Sequence, residues 1–224
     1  MPHWSGGPSG LSTTIIEVLR PPSVDSEALS VRGGTGGKMI VCLAWGSLVW
    51  NPGALPIVGD WSTDGPALPL EFARESEDGR MTLVLVDHDR PVSVLWAELE
   101  VRDIEQASEA LRLREKVRFD GAIGRWPAVA RQHAFDEVIG GWMNAKGFDG
   151  VVWTALRPGM RADRQSRSYV TPSLARIERH LAALPPEARV NAARYVNSAP
   201  EQIATPYRPA LGLMLADASS VANP

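Results

Sequence analysis

The sequence has one cysteine, no long apolar run and no excess of basic residues. Cys42 alone cannot form an internal disulfide or a cysteine-rich zinc site, which fits a reducing compartment. No apolar stretch reaches the roughly 20 residues that span a bilayer, and the first residues lack the pattern of a secretion signal. With 23 Lys and Arg against 26 Asp and Glu, the net charge is −3, so the basic footprint of a nucleic-acid-binding protein is absent. We therefore expect a cytoplasmic protein that binds neither nucleic acid nor membrane.

Histidine is also scarce, and the four histidines show no metal-ligand spacing. The triplet Asp87-His88-Asp89 is more typical of a hairpin turn than of a metal site. The glycine-rich run that ends at Lys38 departs from a phosphate-binding loop, because Arg32 stands where a glycine is needed and Met39 where Ser or Thr is needed. We expect no metal and no cofactor.

The 224 residues are enough for one well-cored domain with an extension. Residues 1–38 are rich in Gly, Pro and Ser, and this composition predicts a flexible extension. Met39 directly precedes the first predicted strand and is a candidate start of the protein. We predict a domain over 39–215 and a C-terminal tail over 216–224. The proline-rich stretch 199–215 is expected to lie across the domain surface.

The stretch 39–45 predicts a buried strand, because it is short, almost entirely apolar and rich in β-branched residues. The strand breaks at Gly46-Ser47, where glycine allows a tight turn and a close approach of the main chain to a ligand. Such a loop can present backbone N–H groups to a carboxylate or an amide oxygen. The residues alone leave a second interpretation open, in which Gly-Ser simply ends the strand.

The first half of the chain has the pattern of further strands. Apolar stretches at 68–76 and 81–86 flank a turn at 77–80, which predicts a β-hairpin. Another strand is predicted over 92–99, and its end carries Glu98 and Glu100 on the face opposite Leu99. Apart from a further strand predicted over 148–156, the second half has helical patterns, so the fold class predicted is α+β.

A helix is predicted from an N-cap at Asp103, with Ile104, Ala107 and Leu111 on one face. Glu115 lies four residues after Leu111 and returns to that face. A carboxylate at a core-facing position is suited to proton transfer, because burial favours its neutral form. The alternative left open by the pattern is a helix that frays before Glu115 and leaves this group in water.

Several of these segments resemble the γ-glutamylcyclotransferases, most closely the glutathione-acting branch. Residues 44–53, Ala-Trp-Gly-Ser-Leu-Val-Trp-Asn-Pro-Gly, resemble the family's glycine-serine loop, although the family usually carries Tyr where this chain has Trp45. Residues 72–85 resemble its Phe-x-x-x-Ser and Gly-Arg strands. Residues 111–116 resemble the helix that carries its acid/base glutamate, and 191–197 resemble a late Asn-Ala-x-Tyr-Leu segment.

The resemblance implies a small mixed β-barrel with flanking helices and an enzyme that acts on a small-molecule γ-glutamyl substrate. Cyclisation would yield 5-oxoproline and release an amine or peptide, with Glu115 as general acid/base and without metal or cofactor. The substrate-binding residues implied are Trp45, Gly46, Ser47, Leu48, Arg74 or Arg125 for charge balance, and Tyr169, for which a surface position is the alternative. Two other functions stay open: a non-catalytic binding module, and an acyl-transfer enzyme for a γ-glutamyl-protected metabolite. The sequence does not indicate the oligomeric state.

Overall fold

The computed structural model describes residues 38–128 and 133–220, together with His3. The chain divides into two units, Met1–Thr35 and Gly36–Pro224, and every described helix and strand belongs to the second. The extension predicted over 1–38 therefore lies almost entirely outside the described residues, as do residues 221–224 of the predicted tail.

The described strands lie between residues 40 and 154 of the chain. In chain order, the described strands are β1 (Ile40–Ala44), β2 (Ile57–Ser62), β3 (Ala67–Leu68), β4 (Leu70–Glu75), β5 (Met81–Leu85), β6 (Val92–Ser93), β7 (Leu95–Leu99), β8 (Ile123–Trp126) and β9 (Gly150–Thr154).

Five strands form the main sheet in the order β2-β7-β1-β9-β8. The central strand β1 pairs antiparallel with β7, with Ile40 opposite Leu99, and parallel with β9, with Ile40 opposite Gly150. The remaining pairs of the sheet, β2 with β7 and β8 with β9, are antiparallel. The sheet is therefore mixed, and β1 lies at its centre.

The predicted hairpin is confirmed, since β4 and β5 pair antiparallel around the turn at residues 76–80. This pair and the pair β3–β6 are each separate from the main sheet in the hydrogen-bonding pattern. The closed barrel expected from the resemblance is therefore wrong for the described residues: β2 and β8 remain edge strands of an open sheet. In the described part of the chain, the β4–β5 pair forms no hydrogen bonds that would add it to the main sheet as further strands. It shares an apolar core with the sheet instead, through side chains such as Phe72 and Leu83.

The helices surround the sheet, so the coarse expectation of an α+β fold with flanking helices is correct. In chain order, the described helices are α1 (Ser47–Trp50), α2 (Ile104–Glu115), α3 (Asp136–Lys146), α4 (Arg161–Gln165), α5 (Leu174–Ala182), α6 (Pro186–Ser198), α7 (Arg208–Met214) and α8 (Ala216–Ser220), with a 3-10 turn at Asp120–Ala122.

Both faces of β1 are buried, and all five of its residues lie in the interior. Cys42 packs on the side of the sheet that α2 covers, together with Ala107 and Leu111 of that helix. Leu43 packs on the opposite side, in a second core shared with residues of α5 and α6. A strand covered on both faces has no solvent side, which is why its sequence is continuously apolar instead of alternating.

The stretch 199–215 does not lie across the surface as expected. Ile203, Leu211 and Leu215 are fully buried, and α7 carries the last part of the stretch into the core. Leu211 and Leu215 lie one helical turn apart, so both reach the same apolar core. The prolines end and start helices here and do not keep the segment outside.

Candidate functional site

A cavity of about 790 Å³ lies among residues from β1, α1, β4, β5, α2, α4 and α6. Its volume is in the range of small-molecule binding sites. Its lining includes Trp45, Gly46, Ser47, Leu48, Arg74, Arg80, Leu83, Arg114, Glu115, Arg161, Arg164 and Tyr195. The predicted loop and the predicted glutamate therefore share one cavity.

The Gly46–Leu48 loop follows β1 directly, and α1 begins within it at Ser47. The backbone N–H groups of Ser47 and Leu48 have no hydrogen-bond acceptor among the residues that the structure describes. The preceding residue, Trp45, is buried, and its indole N–H donates to the carbonyl of Leu83 at 3.3 Å. Trp45 therefore anchors the loop to β5, and the loop presents unpaired N–H donors beside the cavity.

Glu115 is the last residue of α2, whose predicted N-cap is confirmed: the Asp103 carboxylate accepts from the N–H of Gln106 at 2.8 Å. Lys116 ends the helix in the left-handed conformation at a φ of 54°. The Glu115 side chain is 17% exposed. The helix thus neither frays before Glu115 nor buries it completely, and it delivers the carboxylate to the wall of the cavity.

Arg114 connects Glu115 to the loop. One guanidinium nitrogen donates to Oε1 of Glu115 at 2.7 Å, and another lies 3.3 Å from Oγ of Ser47 and 2.6 Å from the carbonyl of Asn51. The Arg114 side chain is only 11% exposed. A partly buried guanidinium with several acceptors has a fixed position, so Arg114 orients the carboxylate relative to the loop.

Tyr195 of α6 is a cavity residue to which the sequence assigned no role. It is 5% exposed, and its hydroxyl oxygen accepts from the N–H of Leu83 at 3.3 Å. Burial raises the pKa of Tyr195 to about 12, and the negative charge of Glu115 acts in the same direction. The only hint in the sequence that Tyr195 belongs to the site is its position in the segment 191–197, which resembles the family. This resemblance does not indicate where the hydroxyl lies.

Three arginines line another part of the cavity, and each donates to backbone carbonyls. Arg74 donates to the carbonyl of Arg157 at 2.8 Å, Arg161 to that of Glu77 at 2.9 Å, and Arg164 to those of Glu75 and Gly159. No carboxylate of the described residues lies within ion-pair distance of any of the three.

Burial and the like charge of Arg164 lower the pKa of Arg74 to about 10. Arginine remains charged at neutral pH even so. Cations without an ion-pair partner can attract an anionic group of a ligand. Three carboxylates, Glu75, Glu77 and Asp78, line the same cavity, and the charge of Glu75 also acts on Arg164. Arg161 and Arg164 belong to the basic stretch 160–171, whose composition gives no indication of the direction of its side chains.

Two of the sequence-predicted contacts do not line the cavity. Arg125 lies on the edge strand β8 and forms an ion pair with Glu105 at 3.7 Å. Tyr169 is 42% exposed, and the guanidinium of Arg157 lies 4.6 Å from the centre of its ring. Glu98 and Glu100, the two carboxylates at the end of the strand predicted over 92–99, are also outside the cavity lining.

Among the described residues, no group of three His, Cys, Asp or Glu side chains is arranged to hold a metal ion. The ring of His88 instead contacts the carbonyl of Leu70 at 3.1 Å and accepts from the N–H of Arg90, as a turn residue does. No helix in the described part of the chain is long and apolar enough to cross a membrane.

Comparison of the sequence with protein-family models yields no matching family. A search of curated proteins also yields no match.

Proposed function

We propose that this chain is a γ-glutamylcyclotransferase-type enzyme that cyclises a γ-glutamyl group to 5-oxoproline and releases an amine or peptide. The proposal is supported by the motif resemblance and by one observation: Glu115 and the Gly46–Leu48 loop line the same cavity. Arg114 joins them, because it hydrogen-bonds to Glu115 and to Ser47, which lies 67 positions earlier in the chain. In this proposal the open five-stranded sheet of this chain takes the place of the β-barrel that the resemblance implies. A buried lone thiol, Cys42, is compatible with the cytoplasm.

The proposed reaction is an intramolecular aminolysis. Glu115 takes a proton from the α-ammonium of the substrate, and the resulting amine attacks the γ-carbonyl carbon to form the ring C–N bond. Glu115 then gives this proton to the departing nitrogen as the original amide C–N bond breaks. It next takes the second proton, which the ring nitrogen loses on becoming an amide, and passes it to the released amine. Nucleophile and electrophile belong to one molecule, so the protein has to fold the substrate and move these two protons.

The remaining cavity residues bind and orient the substrate in this proposal. The N–H groups of Ser47 and Leu48 donate to a substrate oxygen, either of the α-carboxylate or of the developing oxyanion. Arg74, Arg161 and Arg164 balance negative charge on the substrate, since no protein carboxylate among the described residues pairs with them. Arg114 keeps Glu115 at the loop.

The test is release of 5-oxoproline from glutathione, γ-glutamyl dipeptides and γ-glutamyl amines, with wild type and Glu115→Gln side by side. Loss of a general acid/base typically costs about 10²–10⁴-fold, so kcat/KM is expected to fall by that factor in the variant. Glu109→Gln is the matched control, because Glu109 lies on the same helix, is 54% exposed and pairs with Arg112 away from the cavity.

The best substrate of the panel would identify the leaving group. Wild-type protein that binds γ-glutamyl compounds without releasing 5-oxoproline would contradict the enzyme proposal and favour the binding module. Equal activity of wild type and Glu115→Gln would exclude Glu115 as the acid/base.

A further inference from the structure

The hydroxyl of Tyr195 lies against the backbone of the Gly46–Leu48 loop. A Cβ atom placed on Gly46 would lie 2.5 Å from this oxygen, closer than any real contact. The absence of a side chain at Gly46 is thus what admits the phenol to the loop. Both residues line the cavity.

The hydroxyl has a hydrogen to donate, and the described residues provide no acceptor for it. Its oxygen accepts from the N–H of Leu83, and no acceptor for its own hydrogen occurs among residues 38–128 and 133–220. Buried hydroxyl groups normally both donate and accept. Since Tyr195 is 5% exposed, the cavity is the remaining direction in which a partner can lie.

The ring is held in place on several sides. Trp50 and Phe72 contact it edge-on, with ring centroids 5.5 Å and 6.2 Å away, and the guanidinium of Arg80 lies 5.2 Å from its centre. A donor whose position is fixed before the ligand binds loses little freedom on binding. Burial raises the pKa of Tyr195 to about 12, so the hydroxyl keeps its proton through the neutral range.

We propose that the Tyr195 hydroxyl donates a hydrogen bond to an oxygen of the bound γ-glutamyl group, beside the N–H groups of Ser47 and Leu48. The identity of this ligand rests on the function proposed above. Three neutral donors then converge on one part of the cavity, an arrangement that binds a carboxylate or stabilises a developing oxyanion.

The experiment compares wild type with Tyr195→Phe, which keeps the ring and removes the hydroxyl. We expect kcat/KM for 5-oxoproline release to fall by about 10-fold to about 100-fold, the range for loss of one donor at such a site. A lower kcat with unchanged KM assigns the hydrogen bond to the γ-carbonyl oxygen. A higher KM with unchanged kcat assigns it to the α-carboxylate. Tyr207→Phe is the control, because Tyr207 lies outside the cavity lining.

Tyr195→Phe also removes the acceptor of the Leu83 N–H, so thermal unfolding is measured and the kinetics are recorded well below the transition. A lowered Tm with unchanged kcat and KM would show a purely structural role and overturn the inference.

Binding of L-glutamine and 5-oxoproline, measured by calorimetry, separates this inference from the proposed function. Binding that weakens in Tyr195→Phe supports the inference even if wild type releases no 5-oxoproline. Wild type that releases 5-oxoproline while Tyr195→Phe matches it in turnover and binding contradicts only the inference. Wild type that neither binds nor turns over contradicts both.

Discussion

At the scale of single residues, the contact between Gly46 and Tyr195 gives a steric reason for the glycine at this position. Gly46 has a φ of −126°, which is outside the left-handed region that favours glycine. What excludes a side chain is space: the Tyr195 oxygen would lie 2.5 Å from a new Cβ, whereas the ring carbon that carries it would lie 3.5 Å away. The phenol oxygen alone therefore creates the conflict.

A double-mutant cycle tests this cause. Gly46→Ala is expected to lower the free energy of unfolding by about 1–3 kcal/mol, the usual cost of overpacking. In the Tyr195→Phe background the same change is expected to cost less than about 1 kcal/mol, because a distance of 3.5 Å to the ring is ordinary contact. Urea unfolding of the four proteins measures the coupling.

Gly141→Ala is the control for this cycle, because a Cβ at Gly141 meets nothing within 4 Å and the residue lies inside α3. This change is expected to stabilise by about 0.5–1 kcal/mol. Equal costs of Gly46→Ala in both backgrounds would show that the phenol oxygen is not the reason for glycine.

At the scale of secondary structure elements, the end of α2 is attached to the end of α1. Arg114 donates to the carbonyl of Asn51, the residue that caps α1, and to Glu115 in its own helix. Adjacent helical residues normally point in different directions. Here Lys116 terminates the helix in the left-handed conformation, and Arg114 and Glu115 meet beside the loop.

Arg114→Met keeps much of the apolar stem and removes these hydrogen bonds. We expect it to lower the free energy of unfolding by about 1–3 kcal/mol, since hydrogen bonds that involve a charged group contribute on this order. It should also lower kcat/KM of the proposed reaction, because Glu115 loses the contact that orients it. Chemical denaturation and 5-oxoproline release measure the two effects.

Arg194→Met provides the comparison for Arg114→Met. Arg194 is exposed on α6 and donates to the side-chain oxygen of Asn191 at 3.3 Å. For a surface substitution of this kind we expect the free energy of unfolding to change by no more than about 0.5 kcal/mol. If the Arg114→Met protein were as stable as the Arg194→Met protein, the hydrogen bonds that attach α2 to α1 would contribute nothing to the free energy of unfolding.

At the scale of the whole molecule, Glu71 of β4 attaches the C-terminal segment to the core. Its carboxylate is 1% exposed and accepts from the Thr205 hydroxyl at 2.7 Å and from the N–H of Tyr207 at 2.9 Å. It also accepts from the N–H of Phe72 at 2.8 Å. A buried carboxylate with three donors holds together residues more than 130 positions apart.

Burial raises the pKa of the Glu71 carboxyl above its usual 4.5, although its donors act in the opposite direction. The folded protein therefore keeps this proton to a higher pH than the unfolded chain does. The contribution of the group to stability is complete below the unfolded pKa and is lost as the pH rises through the folded pKa. Stability from this source thus decreases from acid toward neutral pH.

Glu71→Gln measures this contribution. The variant is expected to be less stable by about 1–3 kcal/mol, because an amide NH2 cannot accept from the N–H of Tyr207. The difference in the free energy of unfolding between wild type and variant is expected to decrease as the pH rises from about 4 to about 7. Urea unfolding at several pH values measures this difference. Glu187→Gln, an exposed change on α6, controls for loss of a carboxylate. A difference that grows with pH would contradict a raised pKa of Glu71.

The elements whose evidence is local follow from the sequence. The all-apolar run 40–44 predicts β1, the turn at 77–80 predicts the β4–β5 hairpin, and Asp103 with its apolar stripe predicts the start of α2. Such patterns work because hydrogen bonds within a helix or a hairpin join neighbours in the chain. The resemblance added Glu115 and the loop as one candidate site.

Which distant side chains meet is set by the tertiary structure. The Tyr195 hydroxyl reaches Leu83 across 112 positions, and Glu71 reaches Thr205 across 134. The tertiary structure also leaves the sheet open and places Arg125 and Tyr169 away from the cavity, while Arg161 and Arg164 line it. Local periodicity carries no information on these points, because they depend on how the helices pack on the sheet and on the directions that this packing leaves for long polar side chains.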